Sequence, residues 1–583
     1  MSEARTGTVS DGVVLVAIAS VAFVAALLWL WGGVAGLAFG HGWPHLTAAQ
    51  LLRVLVRLPS RLADPRQAWP PGARAELPGA AALYATLAPV AAVALVATFA
   101  LRRLAAVALG PGRAGTGARW ARAGELRTLT RGRRARGPKT LGRPTAPAAE
   151  AGRIALGRRR GRVLYAENRH ALLAFGPPQS GKSAAVAVPA LLEWPGPAVA
   201  SSIKTDLLAV TRKRREGLGT VFVFDPFGLA GDGDTHTWSP LHSARTWDGA
   251  LEAAWRLAAA GETDQRSVEG GDFWAVAAEQ RLAPLLFVAA NCDGGIESLV
   301  RWTYGQGTRE LHTALARVGE MGADHARAPD APGADARAAY EAVRAFDAQA
   351  DRTRSSIEAT AQALLRAYRF TRVRHSARSC QITPDRLLDE PATLYLIGDA
   401  KASKLLRPLF MALLSEIVDR AYERATLAGG ALALPLLLCL DEAGNVAPLP
   451  NLAEIASTAP SHNIQLVSIF HDLAQARARY GRQAETVVNS HRARMLLPGV
   501  ADLETLRYFA GLLGDEEARE LTRTIGPGGP SRSTGSRRRP LVPPELLRQL
   551  PKHRALLLYG RLAPTEVRLR LWFEDRRLRR LAE

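Results

Sequence analysis

The stretch whose reading decides the fold runs from Ala171 to Trp194, ALLAFGPPQSGKSAAVAVPALLEW. An apolar run leads into Gly176, the residues Gly176 to Ser183 fit G-x-x-x-x-G-K-[ST], and a helical pattern follows. A strand, a glycine-rich loop and a helix in that order form a cradle for phosphate, because backbone N–H groups turn inward and the helix N-terminus favours negative charge. The cradle comprises Gly176, Pro177, Pro178, Gln179, Ser180, Gly181, Lys182 and Ser183. Lys182 is placed to reach the β- and γ-phosphates of ATP, and Ser183 to ligate Mg2+.

Hydrolysis requires carboxylates as well. The segment LPLLLCLDEAGN (434–445) ends an apolar strand with Asp441 and Glu442. Asp441 is expected to hold the Mg2+ shell with Ser183, and Glu442 to orient and deprotonate the attacking water. A further strand, IQLVSIF, is followed by His471, the position of a γ-phosphate sensor in many P-loop motors. Catalytic work is therefore expected of Lys182, Glu442 and His471.

Around these motifs, short apolar runs alternate with helical patterns, the signature of an α/β domain with a largely parallel sheet. Candidate strands are 171–176, 198–203, 221–225, 394–398, 436–442 and 464–470; they lack polar alternation, as strands covered on both faces do. A helix is expected over 405–422. Residues 251–374 lack strand runs and read as an inserted all-α subdomain. Near the end, GPGGPSRSTGSRRRP (526–540) reads as a loop by composition, followed by a closing pair of strands in LLLYG and VRLRLWF.

The 583 residues exceed what one hydrophobic core supports. Gly12–Gly40 and Leu77–Leu101 are uncharged runs of 29 and 25 residues, each longer than the ~20 needed to cross a bilayer. Two transmembrane helices are expected, at about 12–32 and 79–101. The formal charge of +21 is concentrated: residues 102–162 hold seventeen Arg and Lys against Glu125 and Glu150. Basic residues gather beside the cytoplasmic ends of membrane helices, so the run places residues 102–583 in the cytoplasm and lets anionic lipid explain the charge. Cys292, Cys380 and Cys439 are widely spaced, which argues against a disulfide framework or zinc ribbon. His41 and His45 are separated by Pro44, which spoils a helical metal pair. The expected organisation is a membrane anchor (1–101), a basic juxtamembrane linker (102–162), a nucleotide-binding domain in two parts (163–250 and 375–583) and the all-α insertion (251–374).

The ordered blocks ARWARAGELRTL, HALLAFGPPQSGKS, SSIKTDLLAVT, VFVFDPFG and FWAVAAEQRLAPLL, followed by the whole of 437–481 and PPELLRQLPKHRALLLYG, resemble the type IV coupling proteins of the VirD4/TraG/TraD kind. The resemblance covers nearly the whole chain. It implies a RecA-like P-loop NTPase domain with an inserted all-α subdomain and two N-terminal transmembrane helices, anchored in the inner or plasma membrane. It implies a homo-hexamer that takes a single-stranded DNA–relaxase complex, or a secreted protein, to a type IV secretion channel with ATP and Mg2+. Two positions depart from the pattern. Pro460 stands where relatives often carry an arginine proposed to act on the neighbouring subunit's nucleotide, so either another arginine, Arg492 or Arg494, substitutes or this branch hydrolyses slowly. His471 replaces a glutamine and keeps hydrogen-bonding capacity. The competing readings are a substrate-docking receptor, in which nucleotide serves assembly, and an FtsK-like DNA translocase.

Overall fold

The computed structural model of the chain describes residues 11–92, 117–130, 152–231, 235–265, 271–323, 332–446, 448–526 and 529–583. It divides into two compact units, Met1–Thr116 and Gly117–Glu583.

In the first unit, the helix Asp11–Phe39 covers the first apolar run and is followed by a shorter helix, Ala48–Arg57. Thr47 and Gln50 form a reciprocal capping box that starts the second helix. A small core gathers Trp31, Val54, Trp69 and Leu83, and the Trp31 indole donates to the Leu83 carbonyl at 2.8 Å. The second expected span, 79–101, is helical at Ala80–Ala85 and 87–92; its remainder lies outside the described residues. Side chains of the Asp11–Phe39 helix are described from Phe23 onward, and among the described residues no helix is long and apolar enough to cross a membrane.

The second unit is built on an 11-stranded sheet. In chain order its strands are β1 (Ala155–Arg159), β2 (Arg162–Tyr165), β3 (Leu172–Phe175), β4 (Ala198–Ser202), β5 (Val221–Phe224), β6 (Thr393–Ile397), β7 (Leu436–Leu440), β8 (Ile464–Phe470), β9 (Ala493–Leu496), β12 (Arg554–Tyr559) and β13 (Thr565–Arg568), while β10 (Asp515–Gly526) and β11 (Gly529–Pro540) form a separate two-stranded ribbon. The sheet order is β2-β1-β13-β12-β9-β3-β8-β7-β4-β6-β5. Strands β9 to β5 in that order run parallel, and β12, β13, β1 and β2 extend the sheet antiparallel. All six expected strands are present. Strand β9 and the pair β1–β2 were not expected.

Burial on both faces follows from the apolar runs. In β3, Leu173 and Phe175 enter one core while Leu172 and Ala174 enter the other. The first core also takes the 28-residue helix Ala400–Leu427, whose N-cap Asp399 accepts from the Lys401 and Ala402 amides. Between β5 and β6 the described residues hold helices such as Trp247–Gln265, Gly271–Ala290 and Asp351–Leu364 and contain no strand.

Two expectations need correction. Residues 529–540 are not a loop: β11 pairs with β10 in an antiparallel register from Asp515↔Pro540 to Gly526↔Gly529. The serine- and glycine-rich composition expresses only a weak local preference, which a long pairing partner overrides. The basic segment 102–162 is not linker throughout, because Glu125–Leu129 forms a helical turn and β1 joins the sheet through β13.

Candidate nucleotide site

The phosphate loop leaves the C-terminal end of β3, and β7 and β8 end beside it. The register pairs Phe175 with Phe470 and Leu440 with Ser468, so the loop, the paired acids and His471 emerge at one edge. Strand β8 lies between β3 and β7, and that spacing opens a cleft between loop and acids. Ligands of open α/β sheets bind at this carboxyl edge.

Within the loop, Gly176 has no room for a side chain, since a Cβ there would meet Ser180 Oγ at 2.5 Å. Gly181 adopts φ +89°, a left-handed conformation that costs glycine little. The following helix begins with a π turn at Ser183–Ala187 before the regular helix Val188–Glu193, in which Pro189 lacks the N–H of a regular helical bond.

Lys182 is almost wholly buried. Its Nζ lies 3.1 Å from Glu442 Oε1 and 2.8 Å from His471 Nδ1, while His471 Nε2 lies 2.8 Å from Glu442 Oε2. With Nδ1 accepting from the ammonium, the Nε2–H of His471 donates to the carboxylate. Asn445 Nδ2 donates to the same Oε2 at 2.8 Å. Burial opposes ionisation of Glu442, but the His471 bond and the Lys182 charge outweigh it and hold the carboxyl down at about 2. Asp441 is deeper. Burial pushes it up to about 6 despite the hydroxyl of Ser183, which donates to Oδ2 at 2.5 Å. Its other oxygen, Oδ1, is buried with no partner among the described residues, as is Ser180 Oγ.

These features fit a magnesium–triphosphate. An unpartnered buried carboxylate oxygen beside a serine hydroxyl is a hard oxygen donor set of the kind Mg2+ takes, and Lys182 lines the same cavity. The cavity measures about 500 Å³. It brings together the expected residues Pro178, Gln179, Gly181, Lys182, Ser183, Asp441, Glu442 and His471. Gly176, Pro177 and Ser180 lie in the loop behind that lining, and Ser180 N–H donates to the Pro177 carbonyl at 3.2 Å.

The sequence reading missed Lys204, Asp206, Asn445 and Trp572, all of which line the cavity. Lys204 and Asp206 follow β4 at the same carboxyl edge, so a strand-end rule would have found them. Trp572 could not be found that way; the C-terminal segment carries it in, tied by the Trp572 N–H to the Ala184 carbonyl at 3.1 Å. Pro460 lies in the helical turn Ala459–His462, and neither Arg492 nor Arg494 lines the cavity. The Arg492 guanidinium sits 6.0 Å from the Tyr559 ring centre, and Arg494 donates to the Tyr508 hydroxyl at 2.8 Å.

Known proteins resemble the chain in sequence and in fold. Two Escherichia coli proteins named Conjugal transfer protein TraG are 24% and 23% identical to the chain over 407 residues, 65% of its length. The chain spans 61% and 62% of those relatives. The solved structure of the bacterial conjugative coupling protein TrwBΔN70 in its unbound form shares the fold, with a TM-score of 0.55 at 18% identity over 78% of this chain and 93% of that one. The plasmid coupling protein TrwB in complex with ADP and Mg2+ matches with a TM-score of 0.54 at 19% identity over the same shares. Residues 119–582 match the family described as Type IV secretory system Conjugative DNA transfer. The chain belongs to that family.

Proposed function

We propose that the protein is a membrane-anchored coupling ATPase that binds ATP–Mg2+ and drives the transfer of DNA, with its relaxase, into a type IV secretion channel. One observation carries the reading. Lys182 and Ser183 of the phosphate loop meet Glu442, His471 and Asp441 across a β3–β8–β7 edge inside one cavity. The likeness to a plasmid coupling protein solved with ADP and Mg2+ supports the same choice of nucleotide.

In this reading the loop amides and Lys182 hold the β- and γ-phosphates, while Ser183 and Asp441 hold Mg2+. Bound there, the cation supplies positive charge that offsets the charge of the phosphates. Glu442 orients a water and accepts its proton. Its present partner Lys182 is the group a γ-phosphate would compete for, so substrate binding loosens the contact that suppresses the basicity of Glu442. His471, joined to both, reports whether phosphate is in place. The single-charge helix Asp11–Phe39 and the basic run after Leu101 support an anchor of two spans, with the motor in the cytoplasm. A ring of six is part of the proposal.

The test is ATP hydrolysis by the full chain with and without single-stranded DNA, beside a mating assay of Lys182→Ala. The expected result is Mg2+-dependent hydrolysis raised by DNA, and no transfer by the variant. No hydrolysis with Mg2+ present would overturn it. Pro460 favours a second reading, a docking receptor in which nucleotide serves assembly; full transfer by Lys182→Ala would select it.

A further inference from the structure

The antiparallel end of the sheet carries a second cavity, of about 570 Å³, distant in the sheet order from β3 and β7. Its lining is Trp120, Arg158, Arg159, Arg160, Arg554 and Arg568, with Gly161 and a single acid, Glu566. Three of the guanidiniums have local carboxylates: Arg554 with Glu566 at 2.8 Å, Arg158 with Asp575 at 2.8 Å and Arg568 with Glu574 at 3.4 Å. Arg159 and Arg160 form no ion pair among the described residues. Arg159 Nη2 donates to the Ala121 carbonyl at 2.6 Å, while Nη1 is buried without a hydrogen-bond partner among the described residues. A buried cationic donor left bare is costly unless something anionic completes it. Burial and the adjacent Arg160 charge push the Arg159 pKa down, a pressure an anion would relieve.

The turn beside the cavity adds an independent observation. Strands β1 and β2 are joined by Arg160 and Gly161, at φ +48° and +78°. Two-residue turns of this hand favour Asn-Gly, and a long side chain in the left-handed region is strained. The turn alone gives no reason for an arginine at that position; the cavity does, because it supplies a second unpaired guanidinium next to Arg159.

We propose that this cavity binds the phosphate headgroup of an anionic membrane phospholipid. Planar guanidinium forks match phosphate oxygens. A compact cavity suits one headgroup, whereas a single nucleic-acid strand needs a groove spanning several phosphates. Trp120 is 38% exposed at the cavity, and an amphipathic indole is favoured at headgroup level. In the chain, Trp120 follows Leu101, the end of the second apolar run, by nineteen positions, and Trp120 and Arg158 bracket the most basic segment of the sequence. The inference rests on the membrane reading above.

The experiment uses the full chain in neutral detergent, with dioctanoyl phosphatidylglycerol and dioctanoyl phosphatidylcholine as probes, read by native mass spectrometry and thermal shift. Phosphatidylglycerol is expected to bind at least about ten-fold tighter than the zwitterionic lipid, a difference of one charged contact or more. Arg160→Asn, which the turn favours, should keep or raise the melting temperature and weaken phosphatidylglycerol binding about five- to ten-fold. Adding Arg159→Gln should abolish the preference between lipids, while the nucleotide cavity, which neither residue lines, keeps its ATP–Mg2+ affinity. Equal binding of the two lipids, or wild-type lipid binding by the double variant, would overturn the proposal. Loss of oligonucleotide binding with lipid binding retained would assign the cavity to nucleic acid and overturn it as well. Release of the full chain from membranes by alkaline carbonate would instead sink the anchor reading, and the detergent measurement distinguishes the two failures.

Discussion

Glu442 adopts φ +63°, a left-handed conformation that is strained for a glutamate, and the surrounding bonds hold it there. Its backbone carbonyl accepts from Asn445 and Val446, and its carboxylate is gripped by Lys182, His471 and Asn445. Strain of this kind aims a side chain. Glu442→Gln is expected to leave nucleotide affinity within a few-fold and to lower hydrolysis by about 100-fold or more, checked by binding and single-turnover assays. Asp441 illustrates a different compromise. Its folded pKa of about 6 exceeds the ordinary carboxylate value, so the folded protein binds more protons than the unfolded chain between about pH 4 and 6. Stability from this group therefore rises as pH falls through that window and is lacking at pH 7. Asp441→Asn should raise the stability of the nucleotide-free protein at pH 7 by about 1–3 kcal/mol, an advantage that shrinks toward pH 4. The same variant should lose Mg2+-dependent nucleotide binding. Calorimetry across pH 4–8 measures the first effect and titration with and without Mg2+ the second.

At the scale of elements, the C-terminal segment decides more of the site than its position suggests. Arg570 is buried and bonds Glu193, at the end of the phosphate-loop helix, at 2.9 and 3.2 Å, and Asp575 at 2.9 Å. Leu571 and Trp572 then reach the loop, with Leu571 Cδ2 3.5 Å from the position a Cβ would take at Gly181. Removing Glu193 leaves the buried Arg570 with Asp575 alone and two of its donors bare, so Glu193→Ala is expected to cost about 1–3 kcal/mol, read by denaturant unfolding. Trp572→Ala should weaken ATP binding about ten-fold while leaving kcat within about three-fold, because the indole forms part of the cavity wall and carries no group that transfers a proton. The ribbon β10–β11 shows the opposite lesson. Its second strand carries the glycine- and serine-rich GPSRSTGSRRRP, and still the strands pair from Asp515↔Pro540 to Gly526↔Gly529. Backbone bonding along the whole register prevails over a local sequence that reads as a loop.

At the scale of the whole molecule, Pro460 cannot stabilise charge on a neighbouring nucleotide, and among the described residues no arginine lines the cavity. If the proposed ring supplies one, activity per chain should rise with protein concentration toward a plateau, and Arg492→Ala or Arg494→Ala should lower the plateau without altering ATP affinity; sedimentation beside steady-state hydrolysis checks both. The sequence by itself determined the phosphate loop, the paired acids, six parallel strands and the chain's kinship, because each is a local pattern: a spacing of glycines, an apolar run, a carboxylate at a strand's end. Only the tertiary structure decided that β8 separates loop from acids, that Lys182 grips Glu442 and His471, that Trp572 closes the cavity wall and that Arg158–Arg160 meet Arg554 and Arg568 across a sheet edge. The reason is separation along the chain. These contacts join residues 260 to more than 390 positions apart, and no propensity or period in a short window encodes which distant segment arrives beside another.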